Sequence, residues 1–358
     1  MQLTDAAHAL TRRLNIRHPI IQAPMAGSST PRMAAAVSDA GGLGSLGIGA
    51  MNPAAAKKAI LAFRELSPGP LNVNLFCHRP AVSDSAKAAA WLQTLRPAFE
   101  ALDIPQPGTL NEIYRSFVQD EAMLAVLLET RPQVVSFHFG LPPAAVIRQL
   151  KQAGMLLLAS ATNLDEALLL QAAGIDAIVA QGIEAGGHRG MFDPQAYDEA
   201  YPTSVLVRLL VSRLKTPVIA AGGLMTGGDI AAVIRSGAAA AQLGTAFLAT
   251  DESAADPHHR KLLLTADTAR HTVMTAAISG RPARCLANRF TALGLGIDAA
   301  AIPDYPLTYD AGKALHQAAL KAGESGYGAY WSGQGAPFIR SMSTEALMLA
   351  LVKELAAA

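Results

Sequence analysis

A chain of 358 residues is too long for one minimal domain and suits a single α/β barrel carrying insertions. Its 29 Lys+Arg against 28 Asp+Glu leave a formal charge of +1, which argues against nucleic acid or an anionic membrane as partner. Hydrophobic residues reach 51% only in interrupted runs too short to span a bilayer; Cys77 and Cys285 give neither metal-ligand spacing nor a disulfide framework, and no export signal is visible, so a soluble, cytoplasmic protein without a metal is expected.

Strand-like runs followed by helix-like runs recur eight times, the pattern of parallel strands joined by crossover helices. The strands are predicted at Pro19–Gln22, Leu43–Leu46, Leu71–Leu75, Val134–His138, Leu156–Ala159, Ala177–Ala180, Val218–Ala221 and Ala241–Leu243. Thr30-Pro31 and Asn52-Pro53 each read as an N-cap followed by proline at the first helical position, and Gly154, Gly174 and Gly237 stand where helices end. Eight such units favour a closed TIM (β/α)8 barrel over an open doubly wound sheet.

The spacing is uneven in two places. After Leu75 the chain runs far before its next strand, and Trp91–Ala101 and Asp120–Thr130 read as helices separated by Pro105-Gln-Pro107-Gly108. A helical insertion over 79–130 is therefore expected near the active-site rim. Beyond Leu248 the alternation stops. The stretch 251–358, with Tyr305, Tyr309, Lys313, Tyr327, Tyr330 and Trp331, is expected to be an extension covering the barrel mouth, which leaves 1–78 and 131–250 as the barrel.

In a barrel of this kind ligands bind at the C-terminal ends of the strands, and phosphate is gripped by the loops after the seventh and eighth. Those loops hold Gly222-Gly223 and Gly244-Thr245. Glycine N–H groups approach a phosphate with no side chain in the way, and a helix starting there adds a favourable dipole. Alone, each glycine pair reads more readily as a tight strand-to-helix turn; two on adjacent strands favour phosphate. Asn72 and Asn74 fall on one side of the third strand and Gln181 ends the sixth, amides suited to a heteroaromatic edge or to capping a loop. The turn Ala23-Pro24-Met25 can lay its backbone against a ring.

Ala180-Gln-Gly-Ile-Glu-Ala-Gly-Gly-His-Arg-Gly190 carries the sharpest single residue, His188, at the end of an apolar strand and among glycines that include Gly186 and Gly187. A histidine there exchanges a proton near neutral pH or, when charged, stabilises an anion. His138, at the end of the fourth strand, is the second candidate.

Four segments together, Gln22-Ala-Pro-Met-Ala-Gly27, Asn72-Val-Asn-Leu-Phe-Cys-His78, Val135-Ser-Phe-His-Phe-Gly140 and Ala180–His188, resemble the FMN-dependent nitronate monooxygenases, also called 2-nitropropane dioxygenases. Tyr114 and the Tyr305…Tyr309…Lys313 set make the resemblance closer to the bacterial class I type. It implies an FMN whose phosphate lies on Gly222-Gly223 and Gln242-Leu243-Gly244-Thr245, with flavin contacts from Ala23-Pro24-Met25, Asn72, Asn74, Gln181 and Gly186-Gly187. His188 matches the catalytic histidine, and His138, Tyr114, Tyr305, Tyr309 and Lys313 would bind substrate. The implied reaction is oxidation of an alkyl nitronate such as propionate 3-nitronate by O2, through an anionic flavosemiquinone, to a carbonyl compound and nitrite, in a monomer or homodimer. The alternative on the same barrel is an NAD(P)H-dependent flavin reductase of quinones or enoyl thioesters.

Overall fold

The computed structural model describes residues 3–358. Eight strands form one parallel sheet: β1 (Ile20–Gln22), β2 (Gly44–Gly47), β3 (Leu71–Phe76), β4 (Val134–His138), β5 (Leu156–Ala161), β6 (Ala177–Gln181), β8 (Val218–Ala221) and β9 (Ala240–Leu243). Their order is β1-β9-β8-β6-β5-β4-β3-β2. The two ends of that order meet, since Gln22 N donates to Leu43 O at 3.0 Å and Leu43 N to Ile20 O at 3.0 Å. The fold is a TIM barrel.

The strands are buried on both faces because one face packs inside the barrel and the other under the helices. Local chemistry sets the helix ends as the residues suggest. Thr30 Oγ1 accepts from Met33 N and Asn52 Oδ1 from Ala55 N, each followed by proline. Gly154, Gly174 and Gly237 take positive φ just past their helices. At the lower, N-terminal end of the strands the helix Asp5–Leu14 buries Leu10 and Leu14, which with Ile16 join Val134, Ala177, Ile219 and Ala239 in one apolar cluster. Each such leucine contributes about 1.5–3 kcal/mol by leaving water, so this end is a sealed plug.

A second sheet, antiparallel, stands over the opposite end. It joins β7 (Gly187–His188), β10 (Thr272–Thr275) and β11 (Ala283–Leu286), with His188 paired to Ala283 and Gly187 to Arg284. The glycine-rich loop after β6 is thereby fixed as a short strand.

Both expected accessory stretches need correction at their far ends. In 79–130, the helix Ser85–Ala101 packs Trp91, Leu95 and Phe99 against Phe290, Ala311 and Leu315 in a separate core. The helix Glu121–Thr130, by contrast, places Met123, Val126 and Leu127 in the barrel core. In 251–358, the last helix, Thr344–Ala357, buries Leu347, Met348, Leu351 and Leu355 in that same core, against the helices Pro31–Asp39 and Gly227–Arg235. The physical reason is common to both: each strand needs a covering helix before the next, so each accessory stretch lies between a strand and its helix.

Candidate active site

A cavity of about 590 Å³ opens at the C-terminal ends of the strands. Its wall brings together Ala23, Pro24, Met25, Asn74, Tyr114, His138, Gln181, Gly186, Gly187, His188, Gly222, Gly223, Gln242, Gly244, Thr245, Tyr305, Tyr309 and Lys313. Two expected residues are not in it. Asn72 is fully buried one pleat repeat below Asn74, where its Nδ2 donates to Ser45 Oγ at 3.0 Å. Two residues along a strand is about 6.6 Å of depth, so sharing a face with Asn74 does not bring Asn72 to the surface. Leu243 points its side chain into the barrel core and offers only its carbonyl, which accepts from Ala23 N at 2.8 Å.

Two turns on one side of the cavity present bare amides. The N–H groups of Gly223, Leu224, Thr245 and Ala246 have no acceptor among the described residues. Gly222 (φ 124°) and Gly223 (φ 72°) turn the chain through a region closed to most side chains. The helix that follows starts only at Gly227, and Glu354 takes its first amide at 2.7 Å while Asp229 takes those of Met225 and Thr226 at 2.9 Å. The expected contribution of that helix dipole is thus replaced by the turn amides themselves. Thr245 Oγ1 accepts from Gly333 N at 2.9 Å, which leaves its hydrogen available.

The floor is a hydrogen-bonded layer. Gln22 Oε1 accepts from Ser45 N at 2.8 Å, and its Nε2 donates to Ser29 Oγ at 2.9 Å, which in turn accepts from Met25 N. This network holds the Ala23–Met25 turn in place. Asn74 Nδ2 donates to Ser136 Oγ at 2.9 Å.

The opposite side is imidazole and phenol. His138 Nε2 lies 3.1 Å from His188 O, a pure acceptor, so that nitrogen carries the proton and Nδ1 accepts from Ser160 Oγ at 3.0 Å. Gln181 Nε2 donates to the same His188 carbonyl at 2.9 Å. His138 and Gln181 therefore spend their polar atoms clamping the His188 backbone, and neither ring nitrogen of His138 is free for a ligand.

His188 Nε2 is 2.9 Å from Ser279 Oγ, which also donates to Arg281 O at 3.2 Å. With its one hydrogen on that carbonyl, Ser279 accepts from His188 Nε2–H, and Nδ1 is left as the unprotonated nitrogen. Burial lowers the His188 pKa to about 3, with further lowering from His138, Arg281 and His78. The same dominant cause brings His138 and His78 to about 4. Tyr305, Tyr114 and Trp331 enclose this corner, with Tyr305 5.3 Å and Trp331 5.0 Å from His188 by ring centroids. Burial raises Tyr309 and Tyr114 to about 12 and Tyr305 well above its usual value, so all three phenols stay protonated. Tyr305 Oη has no partner among the described residues. The Lys313 ammonium sits over the rings of Tyr114 and Tyr309 at 4.8 and 5.4 Å.

Ser279, Arg281, Phe76, Phe139 and Trp331 complete the site without having been singled out for it. Trp331 belongs to the aromatic tail already noted, and Phe139 directly follows His138, but nothing local marks Ser279 or Arg281. They reach His188 only through the pairing of β7 with β11.

A family model described as nitronate monooxygenase matches residues 7–356. The chain belongs to the nitronate monooxygenase family. Nitronate monooxygenases of Paraburkholderia phytofirmans and Pseudomonas aeruginosa are 56% and 49% identical to it, covering 97% and 96% of this chain and 94% and 98% of theirs. The solved nitroalkane oxidase of Streptomyces ansochromogenes is 40% identical with a TM-score of 0.90, covering 98% of each chain. The chain is thus an oxidoreductase, and family and structural neighbour both bear on nitronate oxidation. Among the described residues, no His/Cys/Asp/Glu group could hold a metal ion and no helix is long and apolar enough to cross a membrane.

Proposed function

We propose that this enzyme oxidises small alkyl nitronates, propionate 3-nitronate among them, with FMN as cofactor and O2 as co-substrate, releasing a carbonyl compound and nitrite. The observation that carries the reading is the corner at His188: Ser279 Oγ lies 2.9 Å from its Nε2 and leaves Nδ1 unbonded, the buried hydroxyl of Tyr305 beside it has no partner among the described residues, and burial lowers the imidazole pKa to about 3. A base that weak is poorly matched to removing a proton from a neutral nitroalkane. The site therefore favours a substrate that arrives already ionised, and Tyr305 Oη is the donor within reach of its oxygens.

The residues present fit FMN. The unpaired amides of Gly223, Leu224, Thr245 and Ala246 would hold its phosphate. Gly187 lines the cavity, and a Cβ there would meet no protein atom within 4 Å, so it keeps clear the space a flat ring would fill. FMN supplies the electron acceptor. Around it, His138 and Gln181 fix the His188 backbone, Ser279 fixes its tautomer, and Tyr114, Tyr309 and Trp331 exclude water.

The test is anaerobic mixing of the FMN-loaded enzyme with ethyl nitronate and, separately, with NADPH. Rapid bleaching of the flavin by the nitronate alone supports the reading. Bleaching by NADPH alone would establish the flavin reductase instead, and a protein that takes up no FMN would remove the cofactor assignment.

A further inference from the structure

Arg281 lies in the turn that enters β11, two residues after Ser279, and is 4% exposed. Its guanidinium carbon stands 4.2 Å from the centroid of the Phe139 ring. One NH2 donates to Met191 O, and Nε, although buried, has no partner among the described residues. No carboxylate lies within ion-pair distance of it among the described residues; Asp193 and Glu166 act on it only from further away. Glu166 is already engaged by Thr162 and by Phe192 N. Burial lowers the guanidinium only to about 10, so it is a cation at neutral pH.

A buried cation without a counter-ion is costly, and its field reaches far because no water screens it. The Phe139 ring it covers also borders the chemistry: its centroid is 4.5 Å from His138, 5.6 Å from His188 and 5.6 Å from Tyr305. Phe139 itself holds φ 73°, a conformation rare for an aromatic residue, which the surrounding packing maintains.

We propose that Arg281 determines substrate specificity: its unpaired guanidinium, set behind Phe139, biases the cavity toward ligands that arrive as anions. The inference rests on the nitronate reading for its biological meaning and on geometry for its content. The groups facing His188 are His138 on β4, His78 after β3, Ser279 and Arg281 before β11, Tyr305 and Tyr309 on the C-terminal side, and Trp331. Among these only Arg281 is charged at neutral pH; the other cation on the cavity wall, Lys313, is exposed, lies over Tyr114 and Tyr309, and is screened by solvent. The field of Arg281 adds to the burial that keeps three imidazoles neutral, and a nitronate, but not a nitroalkane, would feel it.

The experiment uses FMN-loaded enzyme and two probes that need no turnover: nitrate, a planar anion, and nitroethane, a neutral nitro compound, each titrated by its effect on the flavin spectrum. Arg281→Gln, which can still donate to Met191 O, and Arg281→Met should weaken nitrate by about tenfold or more while nitroethane changes by less than about threefold; Arg281→Lys should stay within about threefold for both. The His188 ring resonance should titrate at higher pH in the Gln and Met variants. Should Arg281→Met not fold, the Gln variant decides. Equal losses for both probes, an unmoved His188 titration, or wild-type enzyme that binds nitrate no more tightly than nitroethane would overturn the inference. Loss of nitronate turnover in wild-type enzyme with the nitrate contrast intact would instead count against the proposed reaction and leave Arg281 as an anion selector.

Discussion

At the lower end of the barrel Leu10, Leu14 and Ile16 fill the ring of strand starts with hydrocarbon. At the upper end the same strands finish in Asn74, Ser136, His138, Ser160 and Gln181, whose side chains hydrogen-bond to one another or to the backbone of the loop that carries His188. One end is held by area removed from water, the other by directed polar contacts. Stability and chemistry are thereby assigned to different residues, and substitutions at the two ends should fail in different ways.

The largest effect should come at the top. His188→Asn removes the ring packed against Tyr305 and Trp331 and is expected to lower kcat/KM for a nitronate by about 10² through a misplaced substrate, with little change in melting temperature, as steady-state kinetics and a thermal melt would show. At the bottom the reverse is expected: Leu10→Ala should cost about 2–5 kcal/mol in denaturant unfolding and leave kcat and flavin affinity unchanged. A loss of activity from the Leu10 variant at temperatures where it is folded would break the separation. Gly223→Ala forces a side chain into positive φ at about 1–2 kcal/mol, and should appear as weaker FMN retention, roughly tenfold by equilibrium dialysis. Ser279→Ala frees the His188 tautomer and should lower turnover by about tenfold or less, with the acid limb of the pH profile displaced.

Proton linkage sharpens the contrast further. His78, His138 and His188 have folded pKa values of about 4, 4 and 3 against an ordinary 6.5, so between these limits the unfolded chain binds more protons than the folded one. Their contribution to stability is complete above about pH 6.5 and is lost as pH falls toward 3–4. The melting temperature should therefore fall as buffer is taken from pH 7 to pH 5, and a His138→Gln variant should fall less steeply.

The eight strands were legible because each is a short, mostly apolar run that alternates with a helix-like run, and the helix ends because Thr30-Pro31, Asn52-Pro53 and three glycines obey local capping rules. His188 stood out for the same local reason, a titratable ring among glycines. What stayed hidden depends on distance in space. The two-residue strand β7 exists only through its pairing with β11, and Ser279 and Arg281 matter only because of that pairing. Asn72 shows the converse limit: period-two reasoning chose the correct face of β3 but carries no measure of depth. The role of His138 shifted from ligand contact to clamp once both its nitrogens were seen to be engaged inside the chain.

The cover over the mouth is not a tail. Because the helix Thr344–Ala357 walls the barrel, everything between β9 and that helix is tethered at both ends, and trimming the chain from its C-terminus would breach the cylinder before it uncovered the cavity. The roof is instead a cassette: exchanging it between relatives, with the joints kept at Leu248 and Ser343, is the cut that leaves the wall standing.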